Sequence, residues 1–434
     1  MIKRMREMKS VIFCLVGFFI IVGWLLGSVI QTGAQPQKEI MGQNNPAVDP
    51  QAVQAAVTEG GAIVLKGTFD FGDKGMVNIT KDVTIIGETN ANGSPITKIK
   101  GGFWTFHSPL PPKLPIEVPG PKITIQNIHF DGALWCPIHL AYSSGATISN
   151  NKVTNLRPIP IPVPVFGKTG VFFQNAIICG TTYEQPKEPK YQPGAFTGQL
   201  IIADNEMDMY NENPVNTMAQ GIFVIWTTGI NAQIQHNTIV NCSRNSIEML
   251  DNYLGQDGSG MIMIKDNKIV TATEGAPVPT PNTPNGIIVG WFIDMPSGLN
   301  PQRNIKHVVV NNAIRTRGKT SGGISASTDG VVVVNNTIVS EGEDSNPLSI
   351  LSSDGYLAYN KLEGISSKPG VLVLPFKPFK GSKNFIIDND FKQFKTSAAE
   401  IVFMKDSCNN LFVGPTCKIG DLGSNNFIQM SKPR

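Results

Sequence analysis

The chain has 434 residues, which is enough for one large domain or two ordinary ones and ample to bury a core. Charged residues make up only 16% of it, whereas glycine (43), proline (31) and asparagine (36) are abundant, so the composition excludes a long helical protein and favours many turns and short strands. The net charge of +3 arises entirely within residues 1–34. The remaining chain is neutral and has no basic stripe, which argues against a nucleic-acid partner.

The N-terminus has the pattern of an export signal. The segment MIKRMREMK is basic, and a run without charge follows from Val11 to Ile30. Thr32-Gly33-Ala34 offers small residues for cleavage, but the apolar run is also long enough to span a bilayer. A cleaved signal peptide and an uncleaved anchor over residues 1–34 therefore both stay open. Both place residues 35–434 outside the cytoplasm, because the positive charge precedes the apolar run.

The cysteines beyond this segment do not indicate a metal site. They are Cys136, Cys179, Cys242, Cys408 and Cys417, with no Cys-x-x-Cys pair and no Cys/His cluster. Cys408 and Cys417 are close enough in sequence for a disulfide in an oxidising compartment. Two buried thiols explain them equally well.

A short motif recurs along the chain, in which an asparagine lies between apolar residues. Successive motifs are 24, 54, 32, 30, 45, 24, 24 and 29 residues apart, so the shortest repeat is 24 residues and the longer ones contain insertions. A repeat of this length predicts a solenoid. The motif asparagines are Asn127, Asn151, Asn205, Asn237, Asn267, Asn312 and Asn336, with degenerate copies at Asn360 and Asn389.

The local pattern decides which kind of solenoid this is. Apolar residues alternate over short runs, which is the period of a strand and not of a helix. A second apolar run precedes most motifs, as in Ile222-Phe223-Val224. Two or three short strands per repeat predict an all-β parallel β-helix. One asparagine at the same turn of every coil predicts a ladder of amide hydrogen bonds that satisfies the buried turn backbone.

The two ends of the repeat region resemble those of right-handed parallel β-helix proteins of the pectin-lyase-like superfamily. The opening carries AVQAAVTEGGAIVLKGTFDF and VNITKDVTIIG, and the ending carries CNNLFVG and KIGDLGSNNFI. The resemblance implies one β-helix domain over residues 47–430 after a linker over residues 35–46, with a short capping helix that starts at Asp49-Pro50. It leaves the activity open, because this superfamily includes lyases, hydrolases, epimerases, phage tailspikes and proteins without a known reaction.

Insertions interrupt the repeat on both sides of one strand in the middle coils. They cover residues 157–168, 182–197, 273–285 and 292–304, with shorter ones at 253–260 and 376–382. Loops on both edges would convert the outer face of this strand into a groove. Decorated turns explain the insertions equally well.

Side-chain alternation predicts the floor of such a groove. With Ile222 and Ile247 pointing inward, Phe223 and Glu248 point outward, and Ile288 continues the row. The flanking coils place His139, Ile178, Ser325 and Ser349 in the same row.

At the end of the same strands, Trp226, Asp251 and Trp291 fall on consecutive coils. The two indoles should lie about 10 Å apart with a carboxylate between them. Aromatic rings that flank an acid are a common way to hold a sugar. The alternative is that both tryptophans only cover the solenoid edge.

Catalytic motifs are sparse. A calcium-dependent lyase needs clustered acids and a base, and only Glu248, Asp251 and Asp294 could cluster here, with Arg244 or Arg303 as the base. The acid, base and histidine motifs of polygalacturonase-type hydrolases are absent.

The sequence therefore predicts an exported protein that binds a polysaccharide or cell-surface glycan, or acts on one. The expected substrate-binding residues are Trp226, Trp291, Asp294 and Phe223. No cofactor is expected, apart from Ca²⁺ if the protein is a lyase. A membrane contact is expected only through residues 11–30, if they are not removed.

Two alternatives stay open. The first is a divergent polysaccharide lyase or glycoside hydrolase that uses Glu248, Asp251 and Arg244 as catalytic residues. The second is a surface or envelope scaffold without a small ligand.

Overall fold

In the computed structural model of the chain, the described residues are 37–113, 115–160, 172–180, 193–277, 284–290, 305–375 and 380–431. The export segment predicted over residues 1–34 and the candidate residues Trp291, Asp294 and Arg303 lie outside these ranges. Within them, no helix is long and apolar enough to cross a membrane.

The described chain folds into three long sheets, with strands numbered β1 to β38 in chain order. Sheet 1 contains β1 (Lys38–Met41), β2 (Gly61–Lys66), β5 (Val83–Gly87), β8 (Lys122–Gln126), β11 (Ser143–Ser149), β15 (Phe196–Ala203), β18 (Asn231–Gln235), β21 (Met261–Lys265), β24 (Lys306–Val310), β27 (Val332–Val334), β30 (Tyr356–Ala358), β33 (Phe385–Ile387), β36 (Leu411–Pro415) and β38 (Phe427–Ser431).

Sheet 2 and sheet 3 are built in the same way. Sheet 2 contains β4 (Val77–Asn78), β7 (Phe106–Ser108), β10 (Ile138–Leu140), β14 (Phe172–Cys179), β17 (Thr217–Ile225), β20 (Asn245–Leu250), β23 (Asn285–Gly290), β26 (Gly322–Ser327), β29 (Asn346–Ile350), β32 (Val371–Val373), β35 (Ile401–Phe403) and β37 (Ile419–Asp421), and β13 (Ile159–Pro160) joins it beside β14. Sheet 3 contains β3 (Thr68–Asp70), β6 (Thr97–Lys100), β9 (Ile128–Asp131), β12 (Lys152–Thr154), β16 (Glu206–Asp208), β19 (Thr238–Val240), β22 (Lys268–Val270), β25 (Ala313–Arg317), β28 (Thr337–Glu341), β31 (Lys361–Ser366) and β34 (Asp390–Thr396).

Successive strands visit the three sheets in turn, and each strand pairs in parallel with the strand one coil away, as β17 does with β20 and β20 with β23. Crossover connections between parallel strands of one sheet are right-handed in nearly all proteins. The chain is a right-handed parallel β-helix, so the predicted fold is confirmed. The one antiparallel pair among the described strands joins β13 to β14.

The capping helix also forms as predicted. Helix α1 covers Asp49–Glu59, has a proline in its first turn and buries Val53, Ala56 and Val57 against the first coil. The Asp49 carboxylate accepts hydrogen bonds from the backbone N–H groups of Gln43, Asn45 and Asp70 at 2.8–2.9 Å. One buried carboxylate therefore ties the segment before the helix to the helix start and to β3.

The predicted start of the domain at residue 47 is wrong. Strand β1 pairs in parallel with β2, with Lys38 opposite Ile63 and Met41 opposite Lys66. Strand β1 is therefore the edge strand of sheet 1, and residues 38–41 of the expected linker belong to the solenoid.

The interior is a continuous apolar stack. Ile222, Val224, Ile247 and Met249 are fully buried within it, as alternation predicts. The neighbouring coils add the same kinds of residue at the same register, since Ile247 lies opposite Ile287.

The asparagine ladder is confirmed from its second member onward. Each ladder side chain donates from Nδ2 to Oδ1 of the next, as Asn237 does to Asn267 at 2.9 Å and Asn267 to Asn312 at 2.9 Å. Asn127 is not a member, because Ile128 occupies the ladder position of that coil and its N–H donates to Asn151 Oδ1. Asn127 takes the preceding turn position instead, with φ 61°.

Cys408 and Cys417 are not paired. Cys408 precedes β36 and Cys417 follows it, and the five residues of β36 span roughly 13 Å. A disulfide needs Cα atoms within about 7 Å of each other, so this coil keeps the two thiols apart.

Candidate functional site

The outer face of sheet 2 carries the predicted row of side chains. Phe223 lies opposite Ile178 on one side and Glu248 on the other, and Glu248 lies opposite Ile288. Towards the N-terminal coils, Ile178 lies opposite His139. The register predicted by alternation is therefore confirmed.

The expected exposure of Phe223 and Glu248 in this row, and of Trp226 and Asp251 at the ends of the same strands, is wrong. Phe223 is 5% exposed, Glu248 4%, Trp226 3% and Asp251 0%. Phe223 and Trp226 belong to an apolar cluster on the outside of the sheet that is separate from the solenoid interior. These side chains form a packed layer rather than an open groove floor.

The alternation of inward and outward side chains is interrupted near the start of β17 and β23. A Cβ added to Gly221 would lie 2.7 Å from the Ile239 side chain, and one added to Gly286 would lie 2.4 Å from the Ile314 side chain. Both positions therefore face the solenoid interior, immediately before a residue that also faces it. As a result Gln220 shares the outer face with Phe223.

The break brings a row of side-chain amides onto the outer face, which we call the amide row. Its members are Asn175, Gln220, Asn245 and Asn285, on four consecutive coils. Asn175, Gln220 and Asn245 are at most 3% exposed. Buried amides need partners, and they find them in one another and in Glu248.

Glu248 is the point on which the amide row converges. Asn175 Nδ2 donates to Gln220 Oε1 at 3.0 Å, and Gln220 Nε2 donates to Glu248 Oε2. From the other side Asn285 Nδ2 donates to Asn245 Oδ1 at 3.0 Å, and Asn245 Nδ2 donates to the same Glu248 oxygen at 2.5 Å. In both chains of amides the N–H donors point toward the Glu248 carboxylate. The hydrogen bonds therefore fix the position of the carboxylate, and the bonds within each chain strengthen one another.

An aromatic platform adjoins one end of the amide row. It consists of Phe103, Trp104 and Trp135, all partly exposed, with ring centroids 5.1–5.8 Å apart. Trp135 Nε1 donates to Asn175 Oδ1 at 3.1 Å. This hydrogen bond fixes the orientation of the Trp135 indole and connects the platform to the amide row.

Three tryptophans adopt left-handed backbone conformations. The φ angles are 46° at Trp104, 69° at Trp135 and 60° at Trp226. Most other non-glycine residues with positive φ in the described chain are Asn or Asp, which tolerate this region, whereas a bulky side chain there is unusual. Such strain costs on the order of 1 kcal/mol per residue and is typical of functional sites.

A histidine pair lies under the platform. The rings of His107 and His139 stack with centroids 4.9 Å apart, and their Nδ1 atoms are 3.1 Å apart, so one ring donates to the other. Trp104 packs against both, at 4.7 and 4.3 Å between centroids. Burial, together with the neighbouring His107, lowers the pKa of His139 well below its usual value, so that ring is neutral at neutral pH.

Some buried nitrogen atoms of this face make no hydrogen bond within the described residues. They are Trp104 Nε1, His139 Nε2 and Trp226 Nε1. Buried polar atoms usually have partners, so these three atoms are exceptions among the described residues of this face.

The predicted catalytic residues are not assembled in the described chain. Strand β20 spans roughly 17 Å, with Arg244 before it and Asp251 after it. Glu248 lies between them and accepts hydrogen bonds from the amide row. The described residues contain no group of three or more His, Cys, Asp or Glu side chains that could hold a metal ion.

Sequence reasoning missed the amide row and the platform. The signal for the row is an amide, a small residue and isoleucine at the start of consecutive strands: Asn175-Ala-Ile, Gln220-Gly-Ile, Asn245-Ser-Ile and Asn285-Gly-Ile. The signal for the platform is a tryptophan shortly before a histidine in Trp104-Thr-Phe-His107 and Trp135-Cys-Pro-Ile-His139. Both signals become visible once the coils are aligned.

No protein-family model and no curated protein matches the chain. Solved structures similar to it include the A-module of a mannuronan C-5 epimerase of Azotobacter vinelandii, with 12% identity over 89% of this chain and 95% of that chain and a TM-score of 0.44. They also include the Dettilon tailspike protein, with 14% identity over 83% of this chain and 69% of that chain and a TM-score of 0.38. A mannuronic-acid-specific polysaccharide lyase from human gut microbiota has 11% identity over 90% of this chain and 82% of that chain, with a TM-score of 0.34. At these identities the similarity concerns the fold alone.

Proposed function

We propose that the chain is an exported protein that binds a polysaccharide or cell-surface glycan on the outer face of sheet 2. The observation that carries the proposal is the continuous line of hydrogen-bonded side chains from Trp135 through the amide row to Glu248. The aromatic platform is the accessible part of the site, and the amide row holds it in place.

The chemistry of the site suits a sugar. Indole faces stack on the apolar faces of sugar rings, and Trp104 and Trp135 present two partly exposed indoles side by side. The site departs from the predicted one, because Trp104 and Trp135 replace the buried Trp226 as the aromatic contacts.

The test is binding of the full chain to an array of oligosaccharides and polysaccharides. Trp104→Ala and Trp135→Ala should each weaken binding by roughly tenfold or more, because each removes a stacking surface. The matched control is Tyr359→Ala, since Tyr359 is also an exposed aromatic residue with a left-handed φ of 57° but lies on another corner of the solenoid.

Circular dichroism must show that the tryptophan variants keep the β-sheet content of the wild type. Binding that is unchanged in both variants would exclude the platform as the site. A wild-type chain that binds no glycan would favour the scaffold alternative.

Polysaccharide cleavage is the second candidate, favoured by the fixed position of the Glu248 carboxylate. Glu248→Gln keeps the shape of the side chain and removes its charge. If the protein is a lyase or hydrolase, unsaturated products or new reducing ends, measured with and without Ca²⁺, should appear with the wild type and not with Glu248→Gln, while glycan binding persists. Binding without any product would assign the site to recognition alone.

A further inference from the structure

A narrow crevice opens at the corner where the chain passes from sheet 3 into sheet 2. Three consecutive corners form it, namely those between β16 and β17, between β19 and β20, and between β22 and β23. Its interior has room for about one water molecule. The lining includes Tyr210, Asn211, Asn241, Ser243, Thr271 and Pro277, and none of the described lining residues is charged.

Hydrogen bonds fix the walls of this crevice. Asp208 Oδ1, at the end of β16, accepts from the backbone N–H of Tyr210 at 3.0 Å and from Asn241 Nδ2 at 2.8 Å. Asn241 Oδ1 accepts from the backbone N–H of Thr273 at 2.8 Å and from its hydroxyl group at 2.9 Å. These residues lie on three consecutive coils, so the bonds hold the three corners in place and the crevice is preformed.

A buried glutamine connects the crevice to the strand that carries the first member of the amide row. Gln174 immediately precedes Asn175 in β14, and its Nε2 donates to the backbone carbonyls of Met209 at 3.3 Å and Tyr210 at 3.4 Å. Asn211 Nδ2 donates to Gln174 Oε1 at 3.0 Å. The backbone that presents Tyr210 is therefore tied to β14.

The crevice combines an exposed aromatic ring with amide donors. Tyr210 is 45% exposed, and its ring offers a surface on which the apolar face of a sugar can stack. The amides of Asn211 and Asn241 have two N–H donors each, and within the described residues each amide uses one of them, for Gln174 and Asp208 respectively. The second donor of each amide can bond a hydroxyl group that takes the place of a water molecule.

On the basis of the function proposed above, we propose that this crevice is a second glycan site, which takes one neutral sugar unit. The sugar ring stacks on Tyr210, outside the crevice, and one of its hydroxyl groups enters it. An acidic sugar fits less well, because the described lining has no cation to pair with a carboxylate, and Asp208 and Glu212 are both within two residues of Tyr210.

A second site makes the chain bivalent for a polymer. The coil of Trp135 and the coil of Tyr210 are separated by one coil, since β10, β14 and β17 are successive strands of sheet 2. The platform and the crevice are therefore roughly 10 Å apart along the solenoid axis. One sugar unit is too short to contact both, whereas a longer glycan gains affinity because its second contact is intramolecular.

The test is equilibrium dialysis of the full chain against labelled cellobiose, mannobiose and maltose and against their hexasaccharides. A non-ionic detergent keeps residues 11–30 solvated. The wild type should bind two molecules of one of these disaccharides per chain, whereas Tyr210→Ala and Trp135→Ala should each bind one. Tyr210→Ala should also weaken hexasaccharide binding by about tenfold or more, because only one contact remains. Tyr359→Ala, which removes an exposed aromatic ring outside both sites, should change neither result.

The possible failures are distinguishable. One disaccharide per wild-type chain, or hexasaccharide binding that Tyr210→Ala leaves unchanged, would overturn the second site and keep the platform as the glycan site. Binding of a mannuronate disaccharide that Tyr210→Ala abolishes, with no binding of the neutral ones, would overturn the assignment to a neutral sugar. A wild-type chain that binds no glycan would overturn the proposed function itself. The wild-type stoichiometry decides the question even if circular dichroism shows that Tyr210→Ala is unfolded.

Discussion

At the scale of single residues, the structure explains why the ladder asparagine of the repeated motif is so often preceded by another Asn or Asp. The first residue of each pair adopts a left-handed φ, as at Asn150 (51°), Asp266 (56°) and Asn335 (56°). Asn and Asp tolerate this region, so they recur there. The second residue extends its side chain into the ladder. The pair therefore encodes a corner of the solenoid together with the hydrogen bonds that satisfy it.

His307 is a buried ionisable group with a predictable effect on stability. It lies opposite Ile262 in the solenoid interior, and burial lowers its pKa to about 3, only partly offset by the backbone carbonyl of Ile305. Between about pH 6.5 and pH 3 the unfolded chain binds a proton at this residue and the folded chain does not. This histidine therefore makes the folded state less stable as the pH falls, by up to about 1.4 kcal/mol per pH unit.

Replacement of His307 should make the free energy of unfolding less dependent on pH. The free energy of unfolding of His307→Leu relative to wild type should increase by about 2–3 kcal/mol between about pH 7 and pH 4.5. Equilibrium denaturation by urea at the two pH values measures the difference. The half-exposed His236, between Asp204 and Asp266, provides the control, because His236→Leu removes a histidine from the surface rather than from the solenoid interior. Parallel pH profiles for wild type and His307→Leu would contradict the assignment.

At the scale of strands, alternation predicted the outer row but not the amide row. Phe223 and Glu248 follow the simple rule that alternate residues face opposite sides. Gln220 departs from it because Gly221 has no side chain, which lets two consecutive residues face the interior. Asn245 follows the same course with Ser246. An alternation rule cannot detect this break, since it depends on a small residue at the second position and, at Gly221, on the closeness of Ile239 in the neighbouring sheet.

The sequence also failed to predict that Trp226 and Asp251 are buried, and the physical reason differs from that of the amide row. Trp226 and Asp251 were correctly aligned on adjacent coils, because the Trp226 N–H donates to the Asp251 carbonyl. Their exposure depends on packing against Phe223, Leu250 and Tyr253. Register is a local property of the repeat, whereas exposure depends on contacts between coils and is not encoded in spacing.

The ladder should behave as one cooperative element. Asn267 accepts hydrogen bonds from both nitrogens of Asn237 and donates to Ile234 O and to Asn312. Asn267→Ala leaves the buried backbone N–H of Asn237 without its acceptor and removes one hydrogen bond each from Asn237 Nδ2, Ile234 O and Asn312 Oδ1, so the free energy of unfolding should fall by about 3 kcal/mol. Chemical denaturation measures the loss, and hydrogen exchange should show faster exchange at the Asn237 amide.

The adjacent turn residue provides the control for the ladder. Asn311→Ala changes an exposed side chain in a left-handed position, with φ 57°, and should cost only about 1 kcal/mol. Equal losses in the two variants would mean that the ladder bonds contribute nothing beyond the turn.

At the scale of the whole molecule, the solenoid separates three surface chemistries by sheet. Sheet 2 carries the amide row and platform in its early and middle coils, sheet 1 carries partly exposed apolar side chains such as Val332 and Phe385 in its later coils, and sheet 3 carries ion pairs. The fold permits this because each sheet repeats independently once per coil.

The same modularity predicts that a whole coil can be removed. Residues 313–336 comprise β25, β26 and β27, and Asn312 is 24 residues before its ladder partner Asn336. Without these residues β22 can pair with β28, β23 with β29 and β24 with β30, and the ladder continues from Asn267 through Asn312 to Asn360. Because each coil contacts only its neighbours, the shortened chain should fold and unfold cooperatively.

A deletion of half a coil should behave differently. Removal of residues 313–324 joins the ladder corner to the middle of β26, so the chain skips its strand in sheet 3 and strands from different sheets are brought into register. Circular dichroism and thermal unfolding of the two deletions measure the contrast. We expect β-sheet content and one sharp transition after the whole-coil deletion, and loss of both after the half-coil deletion. If the two deletions lost structure equally, coils would not be interchangeable units, and the repeat of 24 residues would not be the unit of folding.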